Sequence, residues 1–149
     1  MSENNRKIIT DAITRMLARR EHARTEIIRK LSEKGLESAA FLSILQEFTD
    51  ADIQSDARYA EMRVRSCIAK GQGARRIRQE LVAMKVDESA IQLAFEENSP
   101  DWFELALLAK TKRFGAHVAS EAKDKAKQIR FLQYRGFGHE EIQYALNPH

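Results

Sequence analysis

The sequence predicts an all-α protein of three tandem three-helix repeats. Good helix formers dominate the 149 residues, with 20 Ala against 4 Val and 5 Thr, and there are only two prolines. Apolar residues recur at helical spacing in several segments. A helix-turn-helix pattern is repeated three times along the chain. These observations favour helices throughout and leave little sequence for strands.

The individual helices are predicted from apolar residues at i, i+4, i+7 and i+8, which share one helix face. Two such stripes are Ile9, Ile13, Met16 and Leu17, and Ala60, Val64, Cys67 and Ile68. A similar stripe in the last third consists of Trp102, Leu105, Leu108 and Ala109. Ser99, Pro100 and Asp101 precede that stripe and predict a helix start. Because Cys67 lies within a stripe, we expect its thiol to pack in the core rather than to react.

The repeats are visible as three segments that align without gaps, Leu31–Leu36, Leu81–Val86 and Leu132–Phe137, at offsets of 50 and 51 residues. Apolar residues follow each segment at matching positions. These are Phe41 and Leu45, Ile91 and Phe95, and Ile142 and Leu146. With one further helix ahead of each pair, the predicted repeats are residues 1–54, with a short flexible N-terminus, 55–99 and 100–149.

The turn inside each repeat has a physical reason in two of the three copies. Gly35 and Gly136 stand where a helix ends in a left-handed residue, a conformation that Gly adopts without a Cβ penalty. Lys85 occupies the matching place in the middle copy. We expect the helix there to end with more strain or differently.

Several classes of function find no support in the sequence. Gly71-Gln-Gly73 lacks the third Gly, the preceding strand and the Lys-Ser/Thr pair of nucleotide-binding loops. The four histidines have no metal-ligand spacing, the acidic pairs form no acid/base dyad, and one cysteine builds no thiolate cluster. We therefore expect no enzyme activity, no metal and no cofactor.

Composition also indicates the cellular compartment of the protein. With 43% hydrophobic and 32% charged residues, the chain is too apolar for a disordered protein and too charged for a membrane protein. No apolar run is long enough to cross a bilayer, and no signal-peptide stretch follows the polar N-terminus. The single Cys agrees with a reducing compartment. The sequence predicts a cytoplasmic protein without a membrane partner, and we expect a monomer.

Charge alternates along the chain. Residues 35–55, 87–109 and 136–149 contain no Lys or Arg, so all 25 basic residues lie in the segments between them. Each repeat thus has two basic helices and an acidic third. A net charge of +3 conceals three basic blocks.

Helical phase gives these blocks basic faces. Opposite Ile77 and Leu81, one predicted helix shows Arg75 and Gln79, flanked by Arg76 and Arg78, and another carries Lys123, Lys127, Arg130 and Tyr134 in one stripe. Arg58 and Arg65 lie apart from the Ala60/Val64 stripe. A solvated surface explains any one of these residues. For the set it is a weaker explanation, since like charges at helical spacing repel. The faces favour an anionic partner, either nucleic-acid phosphates or an acidic protein surface.

Three segments carry a resemblance to a known family. Lys70-Gly-Gln-Gly73-Ala-Arg-Arg76-Ile-Arg-Gln-Glu80-Leu81 resembles the middle-repeat motif of the RecX family. Ala18-Arg-Arg20-Glu-His22 with Glu26 through Leu31, and Arg130-Phe-Leu132-Gln-Tyr-Arg135-Gly136-Phe137, resemble its first- and third-repeat motifs. The resemblance covers most of residues 12–146, with the motifs in the family's order. It departs at Asp52-Ile-Gln-Ser-Asp56, where we expect the joint between repeats to pack or cap differently.

The resemblance implies an elongated, curved array of three-helix units that lies in the groove of the RecA filament on single-stranded DNA. Such proteins inhibit the ATPase, strand exchange and coprotease activities of RecA, which places them in DNA recombination, DNA repair and the SOS response. DNA contact is expected to be weak or confined to the filament. The candidate filament- and DNA-binding residues are Arg58, Arg65, Lys70, Arg75, Arg76, Arg78, Lys112, Arg113, Lys123, Lys127 and Arg130. Among these, Lys70, Arg76 and Arg130 lie at the more specific positions of the motif matches, and the others rest on helical phase and charge.

Two other classes of function remain open on the residues alone. A general nucleic-acid-binding helical module would share the basic stripes and bind DNA alone with a steep salt dependence. A helical repeat scaffold for another protein would share the repeats and ignore both RecA and DNA.

Overall fold

Helices occupy more than two thirds of residues 2–148, the part of the chain that this computed structural model describes, and that part contains no strand. In chain order they are α1 (Glu3–Arg19), α2 (Arg24–Glu33), α3 (Ser38–Asp50), α4 (Asp56–Ala69), α5 (Ala74–Ala83), α6 (Glu88–Asn98), α7 (Trp102–Phe114), α8 (Ala122–Tyr134) and α9 (His139–Leu146). The all-α prediction is confirmed. Met1 and His149, at the ends of the first and third predicted repeats, lie outside the described residues.

Polar side chains cap several helix starts. The Ser55 hydroxyl accepts a hydrogen bond from the Arg58 backbone N–H at 3.2 Å and begins α4. The Asp101 carboxylate accepts from the N–H groups of Phe103 and Glu104 at 3.1 and 3.2 Å, respectively. Helix α7 therefore starts where Ser99-Pro100-Asp101 predicted a start.

The repeated turn is the same in all three copies. Residues Gly35, Lys85 and Gly136 have φ values of 85°, 59° and 99°. After each of them the next backbone N–H, from Leu36, Val86 or Phe137, donates to the carbonyl five residues earlier at 3.1 to 3.2 Å. Lys85 thus takes the left-handed conformation without being Gly, at a cost of about 1 kcal/mol. Helix α5, in the middle copy, therefore ends with more strain but with the same geometry as the other two copies.

Each helix triplet encloses its own core. The first buries Ile9, Ile13, Ile27, Leu31, Phe41 and Leu45, the second buries Tyr59, Val64, Ile77, Leu81 and Ile91, and the third buries Leu132, Phe137, Ile142 and Leu146. Neighbouring repeats share a few side chains, since Ala23 and Trp102 both pack on the second core. The accessible surface is 9084 Å², whereas a compact domain of this mass would expose about 7,700 Å². The excess favours an extended row of repeats.

Helix α7 departs from its predicted stripe. Leu108 is 64% exposed, while Ala106 and Lys110 are buried. The Lys110 ammonium donates hydrogen bonds to the carbonyl oxygens of Gly115 at 2.9 Å and His117 at 2.7 Å, which satisfies the buried charge. The aliphatic stem of Lys110 thus occupies a core position, and the helix is turned so that Leu108 faces outwards.

The first joint, between the first and second triplets, is made by polar side chains. The Asp56 carboxylate accepts from the Arg24 backbone N–H at 2.8 Å and from the Gln54 amide at 2.9 Å. Gln54 is buried and also donates to the His22 carbonyl at 3.2 Å. This network lies at the stretch that departs from the family pattern, and Ser55 caps the helix that follows it.

Candidate functional site

The second joint, between the second and third triplets, brings two glycine turns into backbone contact. The Gly73 N–H donates to the Arg135 carbonyl at 2.7 Å, and the Arg75 N–H donates to the Gly136 carbonyl at 3.1 Å. A Cβ on Gly73 would lie 2.5 Å from the carbonyl carbon and oxygen of Gly136. Only a residue without a side chain fits there, so Gly71-Gln-Gly73 connects two helices and forms part of the joint.

This contact joins the basic start of α5 to the end of the basic stripe on α8. The Arg76 guanidinium lies 4.9 Å from the centroid of the Tyr134 ring and donates to the Tyr134 carbonyl at 3.4 Å. Tyr134 is 72% exposed, and Arg75 is exposed beside it. Residues that are far apart in sequence therefore form one surface.

The α8 stripe itself is exposed. Lys123, Lys127 and Arg130 form no ion pair with another described residue. Together with Arg75, Arg76 and Tyr134 they make a cationic surface that ends in an accessible aromatic ring. We call these six residues the α5–α8 face. Cationic side chains beside an open ring are the groups that bind a single-stranded phosphate backbone and its bases.

A second basic group surrounds a cleft of about 280 Å³ between the end of α4, α7 and α8. Lys70, Lys112 and Arg113 lie on its rim, and Leu105, Leu108 and Phe131 line its interior. Three predicted site residues from two repeats are therefore brought together here, away from the α5–α8 face.

Three predicted residues stand apart from both groups. Arg58 donates to Glu21 at 3.0 Å and pairs with Asp52 at 3.0 Å, and the hydrogen bond to Glu21 is the main cause of its raised pKa. Arg78 pairs with Glu88 at 2.5 Å and lies over the Phe95 ring. Arg65 is exposed on α4. Arg58 thus serves the first joint, and the charge of Arg78 is partly neutralised within the second triplet.

Sequence reasoning missed Arg135. Its guanidinium donates to the Lys70 carbonyl at 2.9 Å and lies 5.2 Å from the Phe131 ring centroid. It therefore closes the second joint and completes the rim of the cleft. Its position before Gly136 was visible in the repeat, but nothing local in sequence indicates a contact 65 residues away.

Two kinds of reactive group can be checked directly, a metal-holding cluster and the cysteine thiol. Within residues 2–148 no group of His, Cys, Asp and Glu is placed to hold a metal. Burial raises the pKa of the Cys67 thiol, so the sulfur stays protonated and is a poor nucleophile. No helix in this part of the chain is long and apolar enough to cross a bilayer.

Comparison with known proteins identifies the family. The profile of the second three-helix domain of RecX matches residues 55–94, and that of the third three-helix domain matches residues 100–146. Regulatory protein RecX of Vibrio campbellii is 44% identical over 137 residues, which are 92% of this chain and 88% of that protein. Its counterpart from Acinetobacter baylyi is 39% identical over 132 residues, which are 89% and 82% of the two chains.

Solved structures show the same fold. The crystal structure of RecX from Lactobacillus salivarius has a TM-score of 0.76 at 19% identity and covers 97% of this chain and 96% of its own. A second crystal structure of a regulatory protein RecX has a TM-score of 0.76 and covers 95% of this chain and 71% of its own. The predicted family and its three-helix repeats are confirmed: the chain belongs to the RecX family of regulatory proteins.

Proposed function

We propose that this protein is a negative regulator of homologous recombination that binds the RecA filament on single-stranded DNA. It inhibits the filament's ATPase, strand exchange and coprotease activities and hydrolyses no ATP itself. The observation that carries the proposal is the match to RecX regulatory proteins over about nine tenths of the chain. The exposed basic surfaces support it, because a filament groove presents DNA phosphates and acidic protein surface together.

The two basic groups bind different components of the filament. The α5–α8 face meets the DNA strand held within the filament, where cations approach phosphates and Tyr134 offers a ring for stacking. Lys70, Lys112 and Arg113, around the apolar cleft, meet protein. The predicted repeats 1–54, 55–99 and 100–149 act as one array, and the protein acts as a cytoplasmic monomer. Analytical ultracentrifugation tests the last point, with a single species at the monomer mass as the expected result.

The direct test is the DNA-dependent ATPase of the cognate RecA on single-stranded DNA, with and without this protein. Substoichiometric protein should slow hydrolysis, and strand exchange measured in parallel should fall with it. Binding to free single-stranded DNA should be weak under the same conditions. If equimolar protein leaves both reactions untouched, the proposed function is wrong and a scaffold for another partner takes its place.

A charge-removal variant with a matched control locates the DNA-facing surface. Replacing Lys123, Lys127 and Arg130 with Ala removes three exposed cations and should weaken inhibition while leaving stability within about 0.5 kcal/mol. The control replaces Arg15, Arg19 and Arg29, which are exposed in the first triplet. It removes the same charge and should inhibit like the parent. Equal losses from both variants would indicate net charge, and tight binding of the parent to DNA alone would favour a general nucleic-acid module.

A further inference from the structure

We propose that the cleft between the second and third triplets binds a short acidic peptide segment of a protein partner, anchored by one bulky apolar side chain. The inference rests on the proposed function and deepens it, because it assigns a chemistry to the protein side of the contact. The cleft lies where the end of α4 meets α7 and α8, and its volume is about 280 Å³. That is slightly below the size of pockets for whole small molecules and suits an apolar anchor.

The interior of the cleft is apolar and uncovered. Ile68, Leu105 and Phe131 line it, each partly buried, and Leu108 stands 64% exposed on the same face. Helix α7 buries Ala106 and Lys110 instead, so this orientation of Leu108 is built into the fold. Burial of a leucine stabilises a complex when an apolar side chain of the partner covers it. An open leucine beside a lined cleft is therefore a place where an apolar side chain can dock.

Every charged side chain that lines the cleft is cationic. Lys70, Lys112, Arg113 and Arg135 surround it, and none of them pairs with a carboxylate within the described residues. Two are held in place on Phe131, where the Arg113 and Arg135 guanidiniums lie 5.6 and 5.2 Å from the ring centroid. Four cations around an apolar interior complement a segment with an apolar anchor and flanking carboxylates.

A peptide fits this cleft better than a nucleic-acid strand does. The Phe131 ring already contacts two guanidiniums and the edge of Phe114 at 5.3 Å, so a base would have to displace them in order to stack. The other interior groups are aliphatic, and leucine side chains anchor apolar side chains rather than bases. Tyr134, on the α5–α8 face, is the ring that stays open.

The test measures direct binding without RecA. The probe is a short fluorescent peptide of Asp and Glu around one central Phe, titrated with the full chain and followed by anisotropy. We expect saturable binding. Replacing the probe's Phe with Ala should weaken binding about tenfold, the loss of one anchor. The proposal is overturned if the probe does not bind at millimolar concentration, or if it binds equally well with Ala in place of its Phe.

Matched variants locate the site. Leu108→Glu should weaken probe binding at least about tenfold, while Leu93→Glu should not change it, because Leu93 is 49% exposed on α6, outside the cleft. Lys112→Glu should weaken binding, and Arg15→Glu, at an exposed cation of the first triplet outside the cleft, should not. Both leucines are exposed, so thermal unfolding should match the parent for both variants. Equal loss from Leu108→Glu and Leu93→Glu would overturn the assignment.

Competition with a single-stranded oligonucleotide tests whether the cleft binds nucleic acid instead of a peptide. If the oligonucleotide displaces the probe and its own binding is lost in Leu108→Glu, the cleft takes nucleic acid and the proposal is overturned. Because the peptide assay contains no RecA, its failure leaves the proposed function standing. The proposed function fails separately, if the parent protein does not slow the RecA ATPase.

Discussion

The two joints of this molecule are held together by different kinds of contact. At the first joint, Gln54 and Asp56 link the triplets through side-chain hydrogen bonds to the backbone of the His22–Arg24 turn. At the second joint the backbones of Gly73 and Gly136 touch with no side chain between them, and the Arg76 and Arg135 side chains donate to carbonyl groups beside that contact. Both joints connect a turn of one repeat to the first or second helix of another.

This difference has consequences for how each joint responds to change. A network of buried polar side chains depends on the protonation and hydrogen-bonding capacity of each member. A close backbone contact depends only on the absence of a side chain and is insensitive to pH and salt. The α5–α8 face spans the second joint, so Arg76 and Tyr134 keep a fixed spacing. The first triplet is attached through the side-chain hydrogen bonds of Gln54 and Asp56.

The largest expected effect is at the second joint. Gly73→Ala places a Cβ 2.5 Å from the backbone of Gly136, which cannot move aside as a flexible side chain would. We expect unfolding free energy to fall by about 3 kcal/mol or more, from overpacking and loss of the hydrogen bonds that cross the joint. Urea unfolding followed by circular dichroism measures it.

Gly138→Ala is the matched control for that variant. Gly73 has φ −86° and ψ 167°, and Gly138 has φ −84° and ψ 171°, and each is the N-cap of a helix. A Cβ on Gly138 would meet only the Arg75 guanidinium at 3.5 Å, an ordinary contact. The control therefore isolates the steric clash. A loss as large at Gly138 would show that N-cap preference, rather than backbone contact, explains the glycine.

A smaller effect is expected at the first joint. Asp56→Asn keeps the shape of the side chain but removes the charge that accepts from the Arg24 N–H and the Gln54 amide. Hydrogen bonds to charged groups contribute about 1.5 to 3 kcal/mol, so we expect a loss of about 2 kcal/mol in urea unfolding. Asp50→Asn is the control, since Asp50 is exposed and accepts only from Gln46 within α3. Equal small changes in both variants would show that the network contributes little.

Much of this architecture could be predicted from sequence because its causes are local. The left-handed turn at Gly35 and Gly136 follows from the residue type, and the buried stripe of Ile9 and Ile13 follows from helical spacing. The same local reasoning wrongly buried Leu108. The buried position near it is taken by Lys110, whose ammonium reaches carbonyl groups of the following loop.

The joints and the candidate site could not be predicted from the sequence and became visible only in the structure. Nothing near Gly73 indicates that Gly136 touches it, and nothing near Arg135 indicates that it donates to the Lys70 carbonyl. Helical phase correctly placed the α8 stripe on the surface, but phase describes one helix at a time. It could not show that Arg76 meets the end of that stripe, or that Arg58 is held by Glu21 and Asp52.

The pH dependence of stability should come from the first triplet, at the turn that borders the first joint. Burial lowers the pKa of His22, whose ring nitrogens face the Arg20 carbonyl at 3.0 Å and the Lys30 ammonium at 3.3 Å. Burial opposes ionisation of Glu26, but hydrogen bonds from Arg20 prevail and lower the pKa of that carboxyl. In both cases the unfolded chain takes up the proton first as pH falls.

Stability should therefore decrease as pH falls below 6.5, the ordinary pKa of His, and decrease again below 4.5, the ordinary pKa of Glu. Urea midpoints across this range measure it. His22→Gln should remove the upper step and keep the lower one. An upper step that persists in that variant would assign it to a group other than His22.

The smallest expected effect concerns the contribution of the Arg76 and Tyr134 side chains to the second joint. Arg76→Ala removes the contact with the Tyr134 ring and the hydrogen bond to its carbonyl, but keeps the Cβ that packs beside Gly136. An exposed cation–π contact contributes about 0.5 to 1 kcal/mol, so unfolding free energy should fall by no more than that. Tyr134→Ala should lose a similar amount. The double variant should lose no more than Arg76→Ala alone, because Tyr134→Ala removes only the ring contact that Arg76→Ala already removes. Losses above about 2 kcal/mol that add in the double variant would show that side chains hold this joint as they hold the first, and the contrast between the joints would fail.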